Sequence, residues 1–406
     1  LILGGKKSTP VSVVHQDILL FLNKCRLCLG CLIALYKTLS LREPSIMNYS
    51  NEHCEICNGV RNNLNDFAKA IIQIIEAMNY EWQSFRIDVK IPTPNWSKKE
   101  PFLTIFSVLK DEYKKELKKT VGSRIEEWTG KIVSISNPDI IITIDKSGKI
   151  DVNSAALFIE GKYEKLVRWI SQTKWLCRAC FGTGCFECDG KGRYFCMSVE
   201  ELITTPLKFL FETNNIKFHA GGREDVDVLV LSGGRPFVLE ITNPLKRKMG
   251  VQEIQDWINS YSKNLIKVSA MSFTTHQRIA EIKKLTETSF KKYRGIVKFF
   301  RRVSEKEMKN ASNKLKDVTI TQRTPYRVMR RRADLLRYKK VQQIKLTPIG
   351  RNFAEFQIVC QGGTYVKEFI SGDDGKTTPS LSEVLRTQCR CVELDLMDVY
   401  LQNDKV

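Results

Sequence analysis

The chain's 406 residues, 42% of them hydrophobic, suffice for two to four domains with their own cores and exclude wholesale disorder. Its 65 Lys and Arg outnumber 45 Asp and Glu, and the resulting charge of +20 is spread along the sequence. That excess, interleaved with aromatic residues, points to a polyanionic partner, nucleic acid first, rather than to solvated lysine faces alone. Thirteen cysteines, with four Cys-x-x-Cys pairs, fit metal binding in a reducing compartment better than a disulfide scaffold. The apolar run 18–39 is broken by Lys24, Arg26 and Lys37, so neither a membrane span nor a signal segment is expected. A soluble, intracellular protein is expected, and a start at Leu1 instead of Met suggests a missing or trimmed N-terminus.

In chain order, Cys25-Arg-Leu-Cys28 and Cys54-Glu-Ile-Cys57 come first, 25 residues apart. Two such knuckles suit one tetrahedral Zn²⁺, and four thiolates leave no open position for chemistry. Cys31 and His53 are nearby competitors for a ligand position. Leu64, Phe67, Ala68, Ile71, Ile72, Ile75 and Met78 then recur at helical spacing. Phe85, Ile87, Val89 and Ile91 alternate as a strand does, a charged helix follows around 109–119, and 139–145 is a β-branched strand ending at Ser147-Gly148. A last helix is expected over 163–170. This alternation, rich in Lys and Arg, suggests an α/β RNA-binding module.

Cys177, Cys180, Cys185 and Cys188 form a second cluster, whose glycines let the backbone turn tightly around the sulfurs. A second structural Zn²⁺ is the preferred reading; free thiols or pairing with another cluster stay open. Ser198-Val-Glu-Glu201 is a capping box that starts a helix, which Pro206 kinks or restarts. The segment 218–240 sets a Gly-Gly pair, Arg223, Glu224, Asp225 and Asp227 on a tight turn feeding a strand. Ser232-Gly-Gly-Arg235 reads as a hairpin turn with a returning strand over 236–241. A carboxylate held at such a turn beside an arginine is poised as a nucleophile or a metal ligand. Val251, Ile254, Trp257, Ile258 and Tyr261 mark another amphipathic helix, and 293–300 and 353–359 read as strands. Between them, 323–340 carries Arg323, Arg327, Arg330, Arg331, Arg332, Arg337, Lys339 and Lys340 with Tyr326 and Tyr338, a density suited to phosphate contacts.

Gly222-Arg223-Glu224-Asp225 resembles the Gly-Arg-x-Asp element of pseudouridine synthases, whose Asp attacks the target nucleoside. The longer string 222–228, with Gly234-Arg-Pro-Phe-Val-Leu-Glu-Ile241, resembles the Pus-Ten family of archaeal and eukaryotic tRNA pseudouridine synthases. Pro138-Asp139, Phe158-Ile-Glu-Gly161, Tyr163, Leu166 and Gln172-Thr-Lys-Trp175 are similar to that family's THUMP-type RNA-binding domain. Gly363-Thr-Tyr365-Val-Lys367 is also similar to a TruB-family motif, with Lys367 where TruB carries Arg.

The resemblance implies a multidomain α+β / α/β chain: a zinc module over 1–60, a THUMP-type domain over 61–175, a Cys-rich linker over 176–193, and a catalytic domain over 194–406 built on a mixed, mainly antiparallel sheet flanked by helices. It implies Asp225, Tyr293, Arg223 and Lys367 as catalytic residues, with Tyr293 stacking on the flipped base and serving as a late general base. Arg223 or another close cation would keep Asp225 ionised. Lys367 would pair with Asp225 or a phosphate, and Arg235, Tyr365 and Leu394 would join substrate binding, Leu394 at the pocket floor. Glu240 would pair with a neighbour such as Arg235. The implied partner is tRNA at uridines 54 and/or 55 of the TΨC arm, with structural zinc only, no cofactor for catalysis, a monomeric state, and a nuclear or cytoplasmic location. Two alternatives remain open: a Mg²⁺-dependent restriction-type nuclease on Asp227 and Glu240, where Thr242 stands in place of the usual Lys, and a non-catalytic RNA-binding factor.

Overall fold

Alternating burial along Ile140–Asp145, with Ile140, Ile142 and Ile144 inward, shows how the first core is built. The computed structural model describes residues 15–39, 54–98, 100–329 and 332–400. His53, Arg330 and Arg331 lie outside the described residues. The chain divides into two compact units, Leu1–Ala155 with Asn243–Arg247, and Ala156–Thr242 with Lys248–Val406. No helix among the described residues is long and apolar enough to cross a membrane.

In the first unit, strands β1 (Ser84–Lys90), β2 (Ile132–Val133), β3 (Ile140–Asp145) and β4 (Ile150–Ser154) form a sheet of order β2-β1-β3-β4. Its core takes Ala68, Ile71 and Ile75 from helix Leu64–Ala77, and Leu109, Tyr113, Leu117 and Val121 from helix Phe102–Thr129. Those are the faces that helical spacing picks out. Cys28, Cys31, Cys54 and Cys57 belong to the same apolar cluster as the sheet, so the described residues of 1–60 share one core with the elements of 61–155.

The second unit holds a ten-stranded sheet. Its strands are β5 (Leu157–Lys165), β6 (Ile216–Ala220), β7 (Val228–Ile241), β8 (Ile266–Thr274), β9 (Phe290–Phe299), β10 (Val318–Arg323), β11 (Leu336–Gly350), β12 (Phe353–Gln361), β13 (Thr377–Thr378) and β14 (Cys389–Tyr400). The order is β13-β10-β11-β12-β9-β14-β7-β5-β8, with β6 on β7. Pairings are antiparallel except where β14 meets β7, at Leu394↔Val228 through Leu396↔Val230. The sheet is mixed and mainly antiparallel, as expected.

Two expected elements differ. The helix expected over 163–170 is the end of β5 and an irregular segment. Ile159, Gly161, Tyr163 and Lys165 are buried with a period of two, because β5 sits between β7 and β8. The boundary expected at 175 therefore falls inside the second unit, which holds 157–175 and the whole second cysteine cluster. The hairpin expected at 232–235 is a bulge within one strand. Val230 pairs with Lys165 and Arg235 with Tyr163, so residues 231–234 loop out while the strand keeps its direction along β5. Positive φ at Ser232 and Gly234 makes that detour.

Candidate active site

The turn Gly221–Asp227 joins β6 to β7 at the only parallel seam of the large sheet among the described residues. Gly222 has φ +89°, and a Cβ there would lie 2.6 Å from Arg235 Nη1, so the turn tolerates only glycine at this point. Side chains from β5, the segment after it and β7 then capture one turn carbonyl after another. Arg235 donates to Gly221 O at 2.9 Å, Gln172 to Gly222 O at 2.9 Å, and Arg168 to Asp227 O at 2.9 Å. Fully buried Lys165 donates to Asp225 O (3.2 Å), Val226 O (2.7 Å) and Ile170 O (3.0 Å). Burial lowers the Lys165 ammonium to about 8.

Glu224 anchors the turn inward. Its carboxylate accepts from Tyr163 Oη at 2.9 Å and pairs with Arg235 Nε at 2.8 Å, with both side chains 1% exposed. Buried charge is tolerated here because each group is bonded to its partner. Arg235, expected as a substrate contact and as a partner of Glu240, lines the cleft but pairs with Glu224, because it and Tyr163 stand directly opposite each other on β7 and β5 and project to the face where that carboxylate lies. Glu240 instead takes Lys217 (2.8 Å) and His219 (3.0 Å).

Asp225 points the other way, into a cleft of about 160 Å³ lined also by Arg223, Tyr293, Arg327, Tyr365, Lys367 and Leu394. Its carboxylate is 38% exposed and bonded to Arg327 Nη1 at 2.7 Å, with Lys367 Nζ at 3.5 Å. Arg327 also holds the buried Glu368 through Nε (2.5 Å) and Nη2 (3.2 Å). Lys367 bonds mainly to Asp227 (2.7 Å); burial alone would raise that carboxyl, but the ammonium outweighs it and keeps it below its usual value. Arg223 or another close cation was expected beside Asp225; the guanidinium found there is Arg327, with Lys367 the second cation, while Arg223 lies over the Trp175 ring at 5.2 Å. Tyr293 is half-buried, and burial pushes its phenol well above its usual value, with Cys360 and the Glu224 and Asp225 carboxylates adding to the rise against the opposing Arg235 guanidinium. It is therefore protonated at neutral pH. The Tyr365 backbone is clamped in both directions by buried Gln322, and Leu394 forms part of the lining from β14. Arg327, Glu368, Lys165, Arg168 and Gln172 were not assigned to the site from sequence; the Arg327 run, the Glu368 neighbour of Lys367 and the segment Gln172–Trp175, read there as part of an RNA-binding domain, carried a local signal.

Lys165 fixes the backbone that carries Asp225. Lys165→Met is expected to lower the single-turnover rate at saturating substrate about a hundredfold, because the carboxylate loses its backbone anchor. Wild-type rate should also fall as pH rises through about 8, where the ammonium loses one of its three protons, and that limb should vanish in the variant. Rate–pH profiles of both proteins check this.

Four sulfurs converge in each unit, in sets whose ligand atoms all lie within 4.8 Å of one another. The first set is Cys28, Cys31, Cys54 and Cys57, not the expected Cys25. Cys25 and Cys31 both complete a Cys-x-x-Cys with Cys28, and the helix decides between them. Cys28 caps helix Leu29–Thr38 and Cys31 lies in its first turn, whereas Cys25 closes the turn after the preceding helix through its N–H to Phe21 O. The second set is Cys177, Cys180, Cys185 and Cys188. Sulfur separations of 3.6 to 3.8 Å match the edge of a tetrahedron with metal–sulfur bonds of about 2.3 Å, as for zinc. Gly184 and Gly192 N–H groups donate to Cys180 and Cys188 sulfurs at 3.1 Å, which stabilises thiolates. Metal analysis should give two ions per chain. Cys25→Ser should retain both, and Cys31→Ser should lose one and destabilise the first unit.

Residues 158–400 match the family described as Pus10, C-terminal. A tRNA pseudouridine synthase Pus10 of Methanosphaera stadtmanae is 35% identical over 395 residues, covering 92% of this chain and 96% of that protein. The Methanopyrus kandleri protein of the same name is 36% identical over 352 residues, covering 86% and 80%. A Cbf5–Nop10–Gar1 complex structure covers 50% of this chain and 46% of its own at 16% identity and TM-score 0.32, too loose a likeness to bear on function. The sequence matches place the chain among the pseudouridine synthases, which are isomerases. Within that class it belongs to the Pus10 family.

Proposed function

We propose that this chain isomerises uridine to pseudouridine in the TΨC arm of tRNA, at position 54, position 55 or both, with Asp225 as the attacking carboxylate. The observation that carries this reading is one partly exposed carboxylate, held by Arg327 and Lys367 on a rigid turn, facing Tyr293 in a cationic cleft. The reaction breaks the N1–C1′ bond, rotates the base and rejoins it through C5, so no atom or electron is exchanged with an external carrier. Extracting the uridine costs a few kcal/mol, offset by stacking and phosphate contacts. Tyr293 offers the stacking face, and as a neutral phenol it can donate a hydrogen bond; it becomes a base only after passing its proton on. Arg327 keeps a positive charge beside Asp225 throughout.

In this reading the metal sites are structural zinc. The first unit, which keeps Pro138-Asp139 of the THUMP-type resemblance while the motifs over 158–175 lie in the second, exposes Lys115, Lys118 and Lys119 on its long helix and acts as the grip on tRNA. The nuclease alternative gains no support. Among the described residues, groups of three or more potential metal ligands occur only at the two cysteine sets, and Asp227 and Glu240 are held by cations.

The test is incubation with unmodified tRNA transcript followed by carbodiimide mapping. New stops in the TΨC arm are expected, with lower yield on transcripts trimmed of the 3′ CCA end. A transcript left unchanged by active-site-intact protein would overturn the assignment.

A further inference from the structure

A second groove of about 260 Å³ opens beside the catalytic cleft and shares Trp175 and Arg223 with it. Its other walls are Thr173, Lys174, Leu176, Arg178 and Tyr194. Two antiparallel segments build it as they carry the second cysteine cluster: Cys177 N–H donates to Gly192 O, Tyr194 N–H donates to Trp175 O, and Leu176 bridges Arg193. The backbone N–H of Arg178 donates to Tyr194 Oη at 3.2 Å, fixing that ring at the groove. Trp175 is held edge-on by Phe195 with ring centroids 5.2 Å apart. Three cations and two aromatic rings line the groove with no acidic residue among the described ones, and Lys174 and Arg178 are exposed.

We propose that this groove is a second RNA subsite, holding the unpaired nucleotide next to the flipped uridine and the phosphate that joins them. The inference rests on the cleft being the uridine site, as proposed above. A nucleotide everted into the cleft stays covalently linked to its neighbour, whose phosphate must leave within one nucleotide's length. The groove begins at the cleft wall and offers what that neighbour needs: cations for phosphate and a flat ring for a base, without sequence preference. The cysteine cluster thus acts as a brace for a binding surface. An acidic peptide would want the cations but would gain little from the adjoining uridine cleft.

The full-length Lys174→Ala/Arg178→Ala variant tests this with unmodified tRNA transcript. Half-saturation in single-turnover assays is expected to rise about tenfold at physiological salt. The slope of log affinity against log salt should fall by about 1.4, from roughly 0.7 for each single-strand phosphate that is no longer neutralised. The rate at saturation should stay within about twofold of wild type, and Tyr194→Ala should weaken binding roughly tenfold. Unchanged affinity and salt slope in the double variant would overturn the proposal, and so would a substrate dependence recovered only by adding a protein partner. Filter binding measures the same slopes without turnover. A wild-type protein that makes no pseudouridine therefore refutes the catalytic reading, while the slopes still judge the groove.

Discussion

Asp225→Asn should abolish pseudouridine formation, by at least about a thousandfold in single-turnover rate, while tRNA binding persists or tightens slightly. The amide has the shape of the carboxylate and can still accept a hydrogen bond from Arg327, which sits 2.7 Å away. What it lacks is the charge and the lone-pair reactivity for attack. Removing one negative charge from a cleft that faces a polyphosphate can only favour binding. Asp225→Glu separates geometry from chemistry. It keeps the charge but pushes it one methylene further from a turn fixed at five carbonyls, and a loss of about a hundredfold is expected. Equal product from Asp225→Asn and wild type under single-turnover conditions would remove Asp225 from the chemistry altogether.

Sequence pattern was informative where a local rule decides the structure. The helices Leu64–Ala77 and Val251–Ser262 show their inward faces as spacing, and Ser198 accepts from Glu201 N–H as the capping box requires. Strands β9 and β12 lie close to where β-branched and aromatic runs put them. The turn 221–227 was legible from its glycines and acids. Failures arose where a distant residue decides. Lys165 looks like a solvated charge next to Glu164, yet it is buried by carbonyls sixty residues on. That burial makes β5 a central strand, a pattern hidden by the polar letters Glu160, Lys162 and Glu164. Arg327 reads as one of many arginines in a phosphate-binding run, and its link to Asp225 spans 102 residues. The bulge at 231–234 mimics a hairpin because both need a residue with positive φ; only the partner strand distinguishes them. Cys25 and Cys31 are equivalent by spacing, and the helix start chooses between them.

Arg327→Ala is expected to lower the rate constant about a hundredfold or more and to destabilise the catalytic unit by about 2 kcal/mol. Arg327 bridges two carboxylates, one in the cleft and one buried, so its removal acts on both. Glu368 would be left as a buried charge without its forked partner, the source of the stability loss. Asp225 would keep only Lys367, which is 3.5 Å away and already bonded to Asp227 at 2.7 Å. Arg327→Lys should fall between the two, because a single ammonium cannot serve both acids in the fork geometry. The informative variant is Arg327→Met with Glu368→Gln. Neutralising both ends relieves the stranded charge, so the denaturation midpoint should return most of the way to wild type. The rate should remain low, because Asp225 still lacks its guanidinium. Denaturant melts and single-turnover kinetics on the same preparations separate the two roles. If activity returned together with stability in the double variant, Arg327 would be a scaffold for Glu368 and not the cation that serves Asp225.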